Sequence, residues 1–206
     1  MGWWEERVVP HLVDRSLRGP EIGAWRERCC AGLTGRVLEI GFGSGLNARY
    51  YPGAVSRVDA VEPSDRAWEL SARRRAAAEA TVHRVGLDGQ RLAAEDAAYD
   101  SVLCTFTLCT IPDPALALAE VRRVLRPGGR LHLLEHGLAQ DARVQRWQRR
   151  LEPLQRRVGG GCHLTRDPVA LAAASGLEPT SVRKGYLLPG RLAAPMTWGY
   201  LATATR

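Results

Sequence analysis

The stretch Val37-Leu38-Glu39-Ile40-Gly41-Phe42-Gly43-Ser44-Gly45-Leu46-Asn47 constrains the fold more than any other part of the chain. Val37, Leu38 and Ile40 make a short apolar run that fits a strand buried on both faces, as in a parallel sheet covered by helices. Three glycines at alternate positions follow; they permit positive φ and let the backbone approach a ligand closely. A helical pattern from Leu46 to Tyr51 comes next, so the segment reads as strand, tight loop and helix. Unpaired amides at the start of such a helix favour an anionic or polar small molecule.

The spacing narrows the ligand. A dinucleotide loop, G-x-G-x-x-G, would place its third glycine at position 46, which is Leu46. The pattern is instead Glu39-x-Gly41-x-Gly43-x-Gly45. Downstream, apolar strands and helical patterns alternate without a break. Strands are expected at Val58–Glu62, Thr81–Val85, Tyr99–Phe106 and Arg130–Glu135, with helices at Ser64–Ala78 and Ala115–Leu125. That alternation is the signature of a doubly wound parallel sheet. Glu62 closes its strand 21 residues after Gly41, where an acid accepts from ribose hydroxyls. Pro63 offers a flat apolar surface to an adenine ring. Asp88 and the amide of Gly89 suit the adenine exocyclic amine and a ring nitrogen, while Asp88 also fits a helix N-cap.

Composition removes other classes. With 206 residues and 45% hydrophobic content the chain suits one soluble α/β domain. Its net charge of +7 rests almost wholly on arginine, since Lys184 is the only lysine. The arginine runs sit in helical patterns and read as solvated faces, which argues against nucleic acid. Five cysteines without a C-x-x-C pair suit reduced thiols in a cytoplasm. Glu5 and Glu6 argue against a signal peptide, and no stretch reaches the ~18 apolar residues of a spanning helix.

Five segments in order, Leu38–Gly45, Val61–Ser64, Asp88-Gly89, Tyr99–Val102 and Leu125–Gly129, resemble the motif set of class I S-adenosylmethionine (SAM) dependent methyltransferases. Asn47 with Tyr50-Tyr51-Pro52, Leu134-Glu135-His136 and Gly160–Asp167 are similar to a small single-domain branch. That branch includes thiol S-methyltransferases and proteins labelled phospholipid or quinone methyltransferases. The resemblance implies a three-layer α/β sandwich with a Rossmann-like, mostly parallel seven-stranded sheet, an antiparallel last strand and an N-terminal helical cap. It implies one domain over 1–206, with a lid at 1–33, a SAM-binding core at 34–137 and substrate-side elements at 138–206. The expected cofactor residues are Glu39, holding the SAM amino group, with Gly41, Gly43, Gly45, Asn47, Glu62, Pro63, Asp88, Gly89 and Cys104. Gln90 and Leu92-Ala93-Ala94 depart from the family pattern at the adenine side.

Methyl transfer from a sulfonium needs mainly a nucleophile held about 3 to 3.5 Å from the methyl carbon. A thiol or phenol acceptor would benefit from a base, and His136, beyond the end of the fifth strand, is the first candidate, with His163 second. Trp3, Trp4, Phe106 and Cys162 are assigned to the acceptor side. Cys162-His163 repeats no metal-ligand spacing, so no metal is expected. The expected products are S-adenosylhomocysteine and a methylated small, partly apolar molecule. Alternatives are N-methylation of a phospholipid amine at a membrane surface, through the Trp3–Ser16 helix and arginine charge, or a non-catalytic SAM-binding partner role. Beyond residue 137 the patterns place helices at Val144–Leu154, with Trp147 and Leu151 inward, and at Pro168–Ala174. Last strands are expected at Leu177–Leu187 and Met196–Thr205.

Overall fold

The structure, a computed structural model, describes residues 2–190 and 193–206. Among these, three helices open the chain: α1 (Trp3–Arg7), α2 (Val9–Leu17) and α3 (Pro20–Cys30). Pro10 divides the first pair as its missing N–H requires, entering α2 in its first turn. The sheet strands are β1 (Gly35–Ile40), β2 (Val55–Val61), β3 (Thr81–Gly86), β4 (Tyr99–Thr105), β5 (Leu125–His136), β6 (Glu178–Tyr186) and β7 (Trp198–Thr205). Between them run α4 (Asp65–Leu70), α5 (Ala72–Ala76), α6 (Pro114–Val124), α7 (Ala142–Val158), α8 (Pro168–Ala174) and the single turn α9 (Ala194–Thr197).

The sheet order is β3-β2-β1-β4-β5-β7-β6. The first five strands pair in parallel, and β7 inserts antiparallel between β5 and β6. The chain reverses direction across the sheet between β1 and β4. Loops leaving the carboxyl ends of adjacent strands diverge there and open a crevice, the usual ligand position in such sheets. Two apolar layers cover the sheet. On one side, Leu38, Val102, Cys104, Leu131 and Leu133 meet Leu118 and Val121 of α6. On the other, Val37, Val58 and Leu103 meet Ile22, Cys29 and Cys30 of α3.

Several expected elements differ. Leu46–Tyr51 is not a helix but one 3₁₀ turn at Ala48–Tyr50, stopped by Pro52, so the glycine loop has no long helix behind it and its own amides must serve the ligand. Ser64–Ala78 divides at Ser71, whose side chain donates to the Trp68 carbonyl. Leu125 begins β5 instead of ending α6, and Gly128 turns at φ +78. Met196 and Thr197 lie in α9, and β7 starts at Trp198. In α7 the inward residue is Gln148, which bonds the backbone of Gly137, Ala139 and Pro195. Trp147, expected inside, is 54% exposed.

Candidate active site

A cavity of about 610 Å³ occupies the crevice beyond β1, β2 and β4. Its floor is the glycine loop. Gly41 has φ +74, and a Cβ there would lie 2.0 Å from the Thr107 hydroxyl. Gly43 has φ +59 and its N–H donates to Glu62 Oε2 at 2.6 Å. Gly45, at φ +76, packs on the Phe42 ring and Ser71 instead of lining the cavity.

Glu62 follows β2 directly. Its other oxygen accepts from Ser64 N at 2.8 Å, so two backbone donors hold the carboxylate at the cavity wall. Burial raises its pKa, and those two donors and Arg84 oppose the rise. Pro63, Asp88 and Gly89 line the same end. Asp88 caps a turn by accepting from Gln90 N at 2.8 Å; no helix follows, so its expected N-cap alternative is an Asx turn instead.

Glu39, Asn47 and Cys104 stand behind the loop, outside the cavity wall. Glu39 is fully buried and accepts from Asn47 Nδ2 at 2.9 Å and from the Tyr51 hydroxyl. Burial pushes its pKa up to about 7 against those hydrogen bonds and the charge of Arg26. The cation is the residue that sequence reasoning passed over. Arg26 is buried in α3 and reaches Asn47 Oδ1 at 2.7 Å and Thr105 Oγ1 at 3.0 Å. It lines the cavity with its guanidinium 5.2 Å from the Phe106 ring centroid. The signal was present: Arg26 falls on the inward stripe Ile22, Cys29, Cys30 at helical spacing, where a charge demands a partner.

The end of the cavity away from Pro63 and Asp88 is walled by Phe106, Thr107, Thr110, Gly159–Gly161 and the apolar side of α2. Phe106 holds φ +55, a left-handed conformation that costs an aromatic residue about 1 kcal/mol. Val9, Pro10, Val13 and Leu17 of α2 line the cavity, whereas His11 and Leu12, which helical spacing would set on one side with Trp4 and Val8, face solvent. Asp14 latches α2 to the loop by accepting from Ser44 Oγ at 2.7 Å and Arg74 at 2.6 Å. Trp3 and Trp4 do not line the cavity; they are 68% and 42% exposed, and Trp4 Nε1 donates to the Val158 carbonyl.

Neither histidine reaches the wall. His136 lies behind Phe106, with ring centroids 6.3 Å apart, and its Nε2 is 2.9 Å from Cys162 Sγ. Contacts with Cys109 first and then His136 hold the Cys162 pKa down to about 5 despite burial. Burial works to lower the His136 pKa, but the Cys162 contact outweighs it. His163 pairs with Glu152 at 3.1 Å.

Residues 38–133 match the family model described as a methyltransferase domain. Thiol S-methyltransferase TMT1B of Rattus norvegicus is 36% identical over 137 residues, 64% of this chain and 55% of that protein. Thiol S-methyltransferase TMT1A of Homo sapiens is 32% identical over 176 residues, 82% of this chain and 68% of that protein. The chain belongs to the SAM-dependent methyltransferase family. This methyltransferase shares its fold with a solved SAM-dependent methyltransferase of Thermotoga maritima, with TM-score 0.69 and 21% identity over 98% of this chain and 97% of that one. It spans a little over half the length of the TMT1B relatives.

Proposed function

We propose that this methyltransferase transfers a methyl group from SAM to a small, partly apolar thiol that reacts as its thiolate. SAM, when bound, supplies an electrophilic methyl carbon on a sulfonium, with a neutral thioether as leaving group. The glycine loop fits such a cofactor, because side chains are absent where a close backbone approach is needed. Glu62 would accept from ribose hydroxyls, Pro63, Asp88 and Gly89 would hold the adenine, and Gly41 and Gly43 would carry the amino-acid end. Glu39 serves that end indirectly, by fixing Asn47 and balancing Arg26.

Arg26 carries the choice of acceptor. A unit cation about 6 Å from a thiolate, at an effective dielectric constant of about 20, is worth roughly 3 kcal/mol, of which the partly ionised Glu39 behind Arg26 cancels a share. It favours an acceptor that enters negative and leaves neutral, and it disfavours an amine, which would leave positive. The relatives named thiol S-methyltransferases support the same acceptor. With both histidines behind the wall, the acceptor's own ionisation supplies the nucleophile.

Rate profiles test this reading with two thiols of different pKa. The ascending limb is expected to move with the thiol; a limb fixed at one pH for both would point to a base on the protein.

A second reading concerns location. Trp147, Leu154 and Val158 are exposed along arginine-rich α7, near Trp3 and Trp4. Apolar residues flanked by arginine suit an anionic membrane surface, and no helix of the described residues is long and apolar enough to cross a membrane. Co-sedimentation with vesicles containing anionic lipid should fall sharply in Trp147→Glu; no sedimentation of the wild type at low salt would remove the idea.

A further inference from the structure

Three donor atoms behind the acceptor wall converge from segments far apart in sequence. Cys109 Sγ comes from the turn after β4, His136 from the end of β5, and Cys162 Sγ from the chain after Gly159–Gly161. They all lie within 4.8 Å of one another, and Cys162 Sγ stands 2.9 Å from His136 Nε2. Both cysteines are nearly closed to solvent, at 3% and 4% exposure.

Two thiol sulfurs and an imidazole are the donor set of borderline-soft divalent cations, whereas Mg²⁺ and Ca²⁺ take oxygen ligands. Tetrahedral coordination with bonds of about 2.0 to 2.3 Å spaces such donors roughly 3.5 to 3.8 Å apart. The observed positions need shifts of about 1 Å or less to reach that spacing. The backbone around them is already fixed. His163 N donates to the Cys109 carbonyl at 2.9 Å, and Arg166 donates to the carbonyls of Leu108 and Ile111 at 2.6 and 2.7 Å. Local spacing could not reveal the cluster, because each donor sits on a different segment.

We propose that Cys109, His136 and Cys162 bind one thiophilic divalent cation of the Zn²⁺ class, leaving a fourth position to water. Three protein ligands with one open position is the arrangement of reactive rather than closed structural zinc sites. The cation would tie the Gly159–Cys162 segment to the ends of β4 and β5, and so fix the wall formed by Phe106, Thr110 and Gly161. The proposal does not depend on the identity of the methyl acceptor.

The test uses the full chain, reduced and purified without chelator, and reads metal instead of turnover. Titration with Zn²⁺ alone against a colorimetric chelator, followed by elemental analysis after dialysis, should give one equivalent per chain. Co²⁺ alone should give sulfur-to-metal charge-transfer absorption. Cys109→Ser and Cys162→Ser should each weaken binding by at least roughly 10-fold, while Cys29→Ala, outside the cluster, should keep one equivalent. If the serine variants fail to fold, ¹¹³Cd resonances of the wild-type protein report the donor set directly, and a shift typical of two sulfurs and one nitrogen is expected. Zinc that washes out on dialysis, a cadmium shift typical of oxygen donors, or a full equivalent retained by the folded double serine variant would each overturn the proposal.

Discussion

At the scale of single residues, charge placement decides what the cavity can do. Glu62 is held by Gly43 and Ser64 backbone donors and faces the cavity. Its truncation in Glu62→Ala removes a charged acceptor worth about 2 kcal/mol, so SAM should bind roughly 30-fold more weakly by calorimetry. Unchanged affinity would place the ribose elsewhere. Arg26→Met is expected to lower kcat/KM for a thiol by about 10- to 100-fold, the upper figure being the equivalent of the full 3 kcal/mol Coulomb contribution. The same substitution should affect an amine acceptor far less, with native circular dichroism as the check on folding. Glu62 and Glu39 also show what the sequence could and could not tell. Glu62 was legible because strand end and spacing coincide. Glu39 was legible as an acid of the motif, yet its place behind the loop follows from Asn47, Tyr51 and Arg26 converging on it. That convergence is a tertiary fact with no local pattern.

Among the elements, α2 would matter most for the proposed acceptor. α2 presents Val9, Val13 and Leu17 to the cavity and is latched by Asp14 to Ser44 and Arg74. Loss of the latch in Asp14→Ala should loosen closure over the bound pair and raise the acceptor KM several-fold in steady-state kinetics. An unaltered KM would mean that α2 is held by apolar contact alone. Helical periodicity reads this segment as a helix that Pro10 would kink or divide, but it groups Leu12 with Trp4 and Val8, off the face that lines the cavity. A face cannot be read from Leu12 and Val13 when both sides of the helix carry apolar residues and the cavity itself is one of the apolar surroundings. Gln148 in α7 makes the same point with polarity reversed. It is buried because Gly137, Ala139 and Pro195 supply backbone partners, while Trp147 stays outside. The sheet strands were the most legible elements, since buried parallel strands are short apolar runs whatever packs on them.

For the molecule as a whole, buried titratable groups set the pH range of stability. His132 donates from Nδ1 to the Cys29 carbonyl, and burial lowers its pKa to about 4. Between pH 6.5 and 4 the unfolded chain therefore binds a proton that the folded one refuses, and stability falls as pH falls. Glu39 works in the opposite direction. With its pKa raised to about 7, its contribution is full below pH 4.5 and is lost as pH rises through 7. Each effect amounts to roughly 3 kcal/mol, and between about pH 4.5 and 6.5 the two slopes are equal and opposite, so together they leave the urea midpoint of the ligand-free protein flat over that interval. His132→Gln should unmask the Glu39 slope, so that the midpoint falls from about pH 4.5 to 7, and a midpoint that stays flat in the variant would show that other groups govern it. The mostly parallel seven-stranded sheet and its antiparallel last strand were legible at this scale because the motif order belongs to one family. The acceptor was not, because its wall comes from α2, the turn after β4 and the Gly159–Gly161 segment, three pieces joined only by folding. The most direct test of the account is product analysis with the purified chain, SAM and matched alkyl thiol, phenol and amine acceptors. S-methylated thiol and S-adenosylhomocysteine should form in equal amounts, with the phenol slower and the amine slowest. Turnover of the amine alone, or none with any thiol while SAM binds, would contradict it.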